Sequence, residues 1–167
     1  MTEPMIEPTA ERRIVQRGLY FEEFEEDAVY VHSPGRTVTE ADNVLFTTLT
    51  MNTQSLHLDA HWSASTEFGE RLVNSMFTLS TLVGTSVAQL TQGTIVANPG
   101  FGEAPLPHPL RVGDTMYSET RVLGKRRSNS RPTQGILEFE HVARNQHGEV
   151  VAIAKRTTLM QCLPQDA

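Results

Sequence analysis

The chain is poor in cysteine, in positive charge and in long apolar runs, and each shortage removes a class of protein. Its single cysteine, Cys162, has no partner for an intramolecular disulfide, which fits a reducing cytoplasm. Lysine and arginine number 14 against 20 aspartates and glutamates, a net charge of −6, and the isoelectric point is near 5.5. General nucleic-acid binders and anionic-membrane binders need a net basic surface, so neither partner is expected. No apolar run approaches the roughly 20 residues that span a bilayer. The start Met1-Thr2-Glu3-Pro4 lacks the basic and apolar regions of a secretory leader. The expectation is a soluble, cytoplasmic protein without internal repeats.

What is present is ordinary globular material. With 38% hydrophobic and 20% charged residues in a chain of 167, one domain with a real core is expected, and two would be cramped. Residues 1–13 carry two prolines, several charges and no periodicity, and read as a flexible tail before a domain over 14–167. The acidic run Phe21-Glu22-Glu23-Phe24-Glu25-Glu26-Asp27 reads as a solvated turn anchored by its aromatics.

A helix is expected from Thr39, which can cap it with Asp42 reaching back, to about Met51; Ala41, Val44, Leu45 and Leu49 form its apolar face. A polar turn then ends in Leu56-His57-Leu58-Asp59, and Asp59 can cap a short helix over Ala60-His61-Trp62-Ser63-Ala64. The longest helical pattern runs from about Ser75 to Gln92, with Met76, Leu79, Val83, Val87 and Leu90 on one stripe and Phe77 and Leu82 widening it. Its other sides are small or apolar, so a curved sheet should wrap around it. Four antiparallel strands are expected at Thr94–Ala97, Thr115–Leu123, Ile136–Arg144 and Val150–Met160, the last two joined by a hairpin at Asn145-Gln146-His147-Gly148. Pro105, Pro107 and Pro109 stiffen the approach to the turn Leu110–Asp114. The fold class is therefore α+β.

Chemistry concentrates between Thr37 and Met76. An imidazole, His57, follows the side-chain amide Asn52 by five residues, and a helix starts at Asn74-Ser75-Met76. That places a water-handling group beside an anion-holding one.

These residues resemble the MaoC-like dehydratases and (R)-specific enoyl-CoA hydratases, and the resemblance covers roughly Gly18 to Met160. It rests on Thr37-Val38-Thr39-Glu40-Ala41-Asp42, Leu56-His57-Leu58-Asp59, Phe68-Gly69, Leu72 to Leu79, His108-Pro109 and Val112-Gly113-Asp114-Thr115, in the family's order. The variant Met51-Asn52-Thr53-Gln54 is similar to members acting on mesaconyl-CoA or itaconyl-CoA. The resemblance implies a single hotdog domain, a long central helix sheathed by a curved antiparallel sheet. It also implies hydration of a short-chain, branched or dicarboxylic 2-enoyl-CoA or the reverse dehydration. No cofactor is implied beyond the coenzyme A of the acyl-CoA substrate, and the expected assembly is a homodimer or dimer-based oligomer with sites at the interface.

By that resemblance His57 and Asn52 hold the water, while the backbone N–H near Ser75 holds the thioester oxygen, with Asn74, Met76 and Gln54 near the substrate. The family's pattern has aspartate, asparagine and proline where this chain has Asn52, Gln54 and Ser55. An amide orients water but takes no proton, which leaves His57 as the titratable member of the pair. A substrate bringing its own carboxylate would be repelled by an aspartate and not by an amide. Ser75 stands where glycine is usual, a change that a backbone donor at a helix N-terminus tolerates. The dense basic cluster Lys125-Arg126-Arg127 to Arg131 offers Ser130 and Arg131 to the phosphates of coenzyme A. Two alternatives remain at this level: a non-catalytic acyl-CoA-binding protein, and a hotdog thioesterase using Glu67 or Glu70.

Overall fold

The computed structural model describes residues 11–164. The first ten residues of the tail expected over 1–13 lie outside that range. Strand β1 spans Val29–Thr37; helices α1 (Glu40–Leu49), α2 (Ser55–Leu58), α3 (Ala60–Ser63) and α4 (Ser75–Leu90) follow. Strands β2 (Ile95–Phe101), β3 (Thr115–Arg127), β4 (Gln134–Arg144) and β5 (Val150–Gln161) complete the domain. They form one five-stranded sheet in the order β1-β3-β4-β5-β2, antiparallel throughout. The expected arrangement of a long helix against a curved antiparallel sheet is what the chain adopts.

One strand more is present than the four expected. β1 carries no strand pattern of its own, because Pro34 and Gly35 interrupt it and only His32 along it is buried. Both residues are tolerated because β1 is an edge strand and its register with β3 shifts between His32 and Arg36. β2 continues beyond Ala97 and β3 beyond Leu123. The β4 alternation is as read: Leu137, Phe139, His141 and Ala143 are buried. The hairpin after β4 closes on Gly148 at φ 81°.

Two apolar clusters flank α4. Val38, Val73, Phe77, Leu82, Leu110, Met116 and Ala143 form one; Phe21, Phe24, Leu90, Val122, Leu137, Phe139 and Met160 form the other. Each Val, Leu, Phe or Met side chain among them contributes about 1.5–3 kcal/mol when fully buried. Phe21 and Phe24 thus anchor the acidic segment, which opens with a single 3-10 turn over Phe21–Glu23. Gly18 crosses the end of α4 so closely that a Cβ would lie 2.5 Å from the backbone nitrogen of Thr91.

The expected stripe on α4 needs correction. The buried face is Phe77, Thr78, Leu82, Ser86 and Leu90, whereas Met76 is 54% exposed. The sheet of one chain covers a single side of the helix. Leu79, Val83 and Val87 are half-buried, and Ser80, Gly84 and Ala88 face outward. Between that outer stripe and β5 lies an apolar groove of about 420 Å³, with Phe101 and Ala104 on its far wall.

Candidate active site

The site is assembled by helix ends. Thr39 caps α1: its hydroxyl accepts from the Asp42 N–H at 3.2 Å, and Asp42 accepts the Thr39 N–H at 2.9 Å. So started, α1 turns Asn43 and Thr47 into the interior. α1 ends at Leu49, and Met51 takes a left-handed φ of 56°. Asn52 follows with its side-chain oxygen accepting the Gln54 N–H at 3.0 Å. Where a polar turn was expected, the chain makes the one-turn helix α2, and this turn carries His57 inward. Asp59 caps α3 as read, accepting the Trp62 N–H at 2.9 Å.

His57 is 9% exposed. Its Nδ1 lies 2.9 Å from the carbonyl oxygen of Leu72. A carbonyl only accepts, so Nδ1 carries the proton in the neutral ring and Nε2 presents its lone pair. Nε2 has no partner among the described residues and is not sealed from solvent. It borders a cavity of about 310 Å³ walled by Leu56, Phe68, Leu72, Val73, Ser75, Thr78 and the segment Leu106–Leu110.

The start of α4 contributes Ser75 and Thr78 to the same lining. Asn74, 2% exposed, accepts the Met76 N–H at 2.9 Å and donates to the Thr47 hydroxyl at 3.2 Å. The Thr78 N–H bonds back to Asn74 at 3.1 Å. The Ser75 N–H takes part in none of these bonds and has no protein acceptor among the described residues. A free donor at the positive end of a 16-residue helix favours developing negative charge. His57, with Nε2 unpartnered, and Ser75, with its N–H unpartnered, therefore line one cavity.

Other expected site residues fall elsewhere. Asn52 is half-buried and does not line this cavity, its amide oxygen being committed to the turn; Gln54 is exposed at the cap of α2. Met76 points to the apolar groove rather than to His57, because successive helical residues project about 100° apart. Asn74 positions the helix start. Ser130 and Arg131 occupy the β3–β4 loop, where Arg131 donates to Gln134 at 3.3 Å. That loop follows the far end of β3, a strand of 13 residues, and neither residue lines the cavity of His57.

Two further residues join the site through the fold. Asn43 donates to Leu72 O at 3.2 Å and accepts the Asn74 N–H at 2.9 Å, and its signal was a polar residue on the inward face of α1. His108 lines the same cavity as His57 from between Pro107 and Pro109.

A second polar system lies away from the cavity. His32 bridges Gln89 (2.8 Å) and the Thr120 hydroxyl (2.7 Å), which meets His141 Nδ1 at 2.7 Å. Burial pushes His141 down to about 3, with the charges of Arg156 and His32 adding to it. Burial also lowers Arg156 to about 10. Among the described residues there is no grouping of side chains able to hold a metal ion, and no helix is long and apolar enough to cross a membrane.

Comparison with known proteins agrees with this architecture. The chain is 28% identical over 134 residues to the beta-methylmalyl-CoA dehydratase of Chloroflexus aurantiacus, across 80% of this chain and 38% of that protein. It is 27% identical over 152 residues to the mesaconyl-CoA hydratase of Haloarcula marismortui, across 87% of this chain and 40% of that one. It thus spans about two fifths of these curated relatives. Among solved structures, a monoamine oxidase regulatory protein from Archaeoglobus superposes with a TM-score of 0.80 at 27% identity, covering 90% of this chain and all (100%) of that one. A Mycobacterium tuberculosis protein with a double hotdog fold superposes at 0.81 and 21% identity, covering 90% of this chain and 46% of its own, so the fold here is a hotdog. The MaoC like domain matches residues 23–144, most of the sheet and all of the cavity walls, and the chain belongs to that family.

Proposed function

We propose that this protein adds water to, or removes it from, a short-chain 2-enoyl-CoA thioester, with a branched or dicarboxylic acyl group. The observation that carries the reading is the shared cavity: it is lined both by an imidazole with a free Nε2 and by Ser75, whose N–H at the start of α4 is unpartnered. Hydration needs both. His57 takes a proton from water as the oxygen bonds to Cβ, and the Ser75 N–H holds the charge that builds on the thioester oxygen. The cavity, at about 310 Å³, lies at the small end of ligand sites, which suits a short acyl group. The names of the relatives, a mesaconyl-CoA hydratase and a beta-methylmalyl-CoA dehydratase, support a branched or dicarboxylic substrate.

The working unit in this reading is a homodimer. Ser130 and Arg131, absent from the lining of their own chain's cavity, serve in this reading the phosphates of a coenzyme A bound at the partner's cavity. The exposed edge strand β2 and the apolar groove beside α4 supply surface for such pairing.

The test is a panel of crotonyl-, mesaconyl- and itaconyl-CoA. Loss of the enoyl absorbance without release of free thiol is expected, fastest with a branched or dicarboxylic member. Free thiol would mean a thioesterase. Binding without either change would mean an acyl-CoA-binding protein.

A further inference from the structure

We infer that His108 is the second proton-transfer group of this cavity. The inference rests on the hydratase reading above and adds to it the group that the amide of Asn52 cannot replace. His57 and His108 are the only titratable side chains lining the cavity among the described residues. They are held alike: His57 Nδ1 lies 2.9 Å from Leu72 O, and His108 Nδ1 lies 3.0 Å from Val150 O. Each ring therefore spends one nitrogen on a main-chain acceptor and keeps Nε2 free, His108 Nε2 having no partner among the described residues. Pro107 and Pro109 restrict the backbone on both sides of His108, so its ring is presented from a stiff segment.

The two rings differ in access, and that difference assigns the roles. His57 is buried, whereas His108 is exposed to solvent. Hydration breaks one O–H bond of water and forms a Cβ–O and a Cα–H bond. His57 Nε2 accepts the proton from water as its oxygen bonds to Cβ, and the electron pair of the double bond moves toward the thioester oxygen. The imidazolium form of His108 then gives its Nε2 proton to Cα. His57 releases its proton to solvent and His108, facing solvent, takes one up, so the net reaction consumes one water and no other reactant. The charged and titratable groups near His108 are Arg111, Asp114, His147 and Glu149, which border the adjoining cavity, and His57, which lines the first.

The experiment measures crotonyl-CoA hydration by wild type, His108→Ala, His108→Gln and His57→Ala, with melting temperatures to verify folding. Loss of general acid–base catalysis predicts that His108→Ala lowers kcat by about 100-fold or more, with KM changed less than about threefold. Added imidazole should restore turnover in His108→Ala, where solvent reaches the vacated place, and not in His57→Ala. The alkaline limb of the wild-type pH profile should vanish in His108→Gln, whose amide can still donate to Val150 O. Unchanged kcat in both His108 variants, or a loss confined to KM that imidazole does not rescue, overturns the assignment while leaving the hydratase reading intact. No hydration of any enoyl-CoA by wild type overturns both.

Discussion

Asn43 and His57 share one acceptor: the carbonyl oxygen of Leu72 receives the Asn43 amide at 3.2 Å and His57 Nδ1 at 2.9 Å. The same Asn43 accepts the N–H of Asn74, the cap of α4, at 2.9 Å. A single fully buried amide thus ties the orientation of the imidazole to the start of α4.

Asn43→Ala should therefore damage stability and turnover together. It leaves the Asn74 N–H without its acceptor and Leu72 O with one donor fewer, in a dry interior where each unmade bond costs about 1–3 kcal/mol. Urea unfolding should show a loss of roughly 2–4 kcal/mol. Turnover of the folded fraction should fall about tenfold or more, since a misplacement of about 1 Å caused away from the chemistry can cost about 100-fold. Full activity in a destabilised variant would separate Asn43 from the chemistry.

Asn52→Asp keeps an oxygen for the Gln54 N–H, so the fold should survive. The added charge lies on the loop that leads into His57 and repels a second carboxylate on the substrate. The ratio of kcat/KM for mesaconyl-CoA to that for crotonyl-CoA should drop by about tenfold, equivalent to roughly 1.4 kcal/mol. An unchanged ratio would remove Asn52 from substrate selection.

Acid should destabilise the protein through His141. Its folded value near 3 lies below the ordinary 6.5, so between those limits the unfolded chain binds a proton that the native chain refuses. Stability is whole above about pH 6.5 and falls toward pH 3, by at most about 1.4 kcal/mol per pH unit for one group. Burial lowers His32 in the same direction. Urea titrations at pH 7 and pH 5 should differ by about 2 kcal/mol in wild type and by less in His141→Gln.

Arg131→Ala should raise KM for CoA esters by about tenfold, the loss of one charge-assisted contact, and leave short thioester mimics unaffected. Equal effects on both would place the loop outside coenzyme A recognition.

How much of this was legible in the residues depends on whether a signal was local. Thr39 with Asp42, Asp59, and Asn74 announce their helices because a cap acts on N–H groups two or three positions away. The alternation in β4 marks its buried face because strand side chains alternate strictly. β1 was silent because an edge strand with Pro34 and Gly35 is stabilised by pairing with β3, as at Tyr30 with Thr120, far along the chain, and by no pattern of its own.

The chain's own residues determined a helix over Ser75–Leu90, a strand-rich second half and an imidazole after a capped helix. Tertiary structure decided which groups meet. It set His108, which the linear order keeps 51 positions from His57, on the wall of the same cavity, and it sent Met76 and Arg131 elsewhere. The reason is physical: capping and periodicity act over one or two turns, whereas a cavity is bounded by whatever the packed sheet and helix ends leave between them.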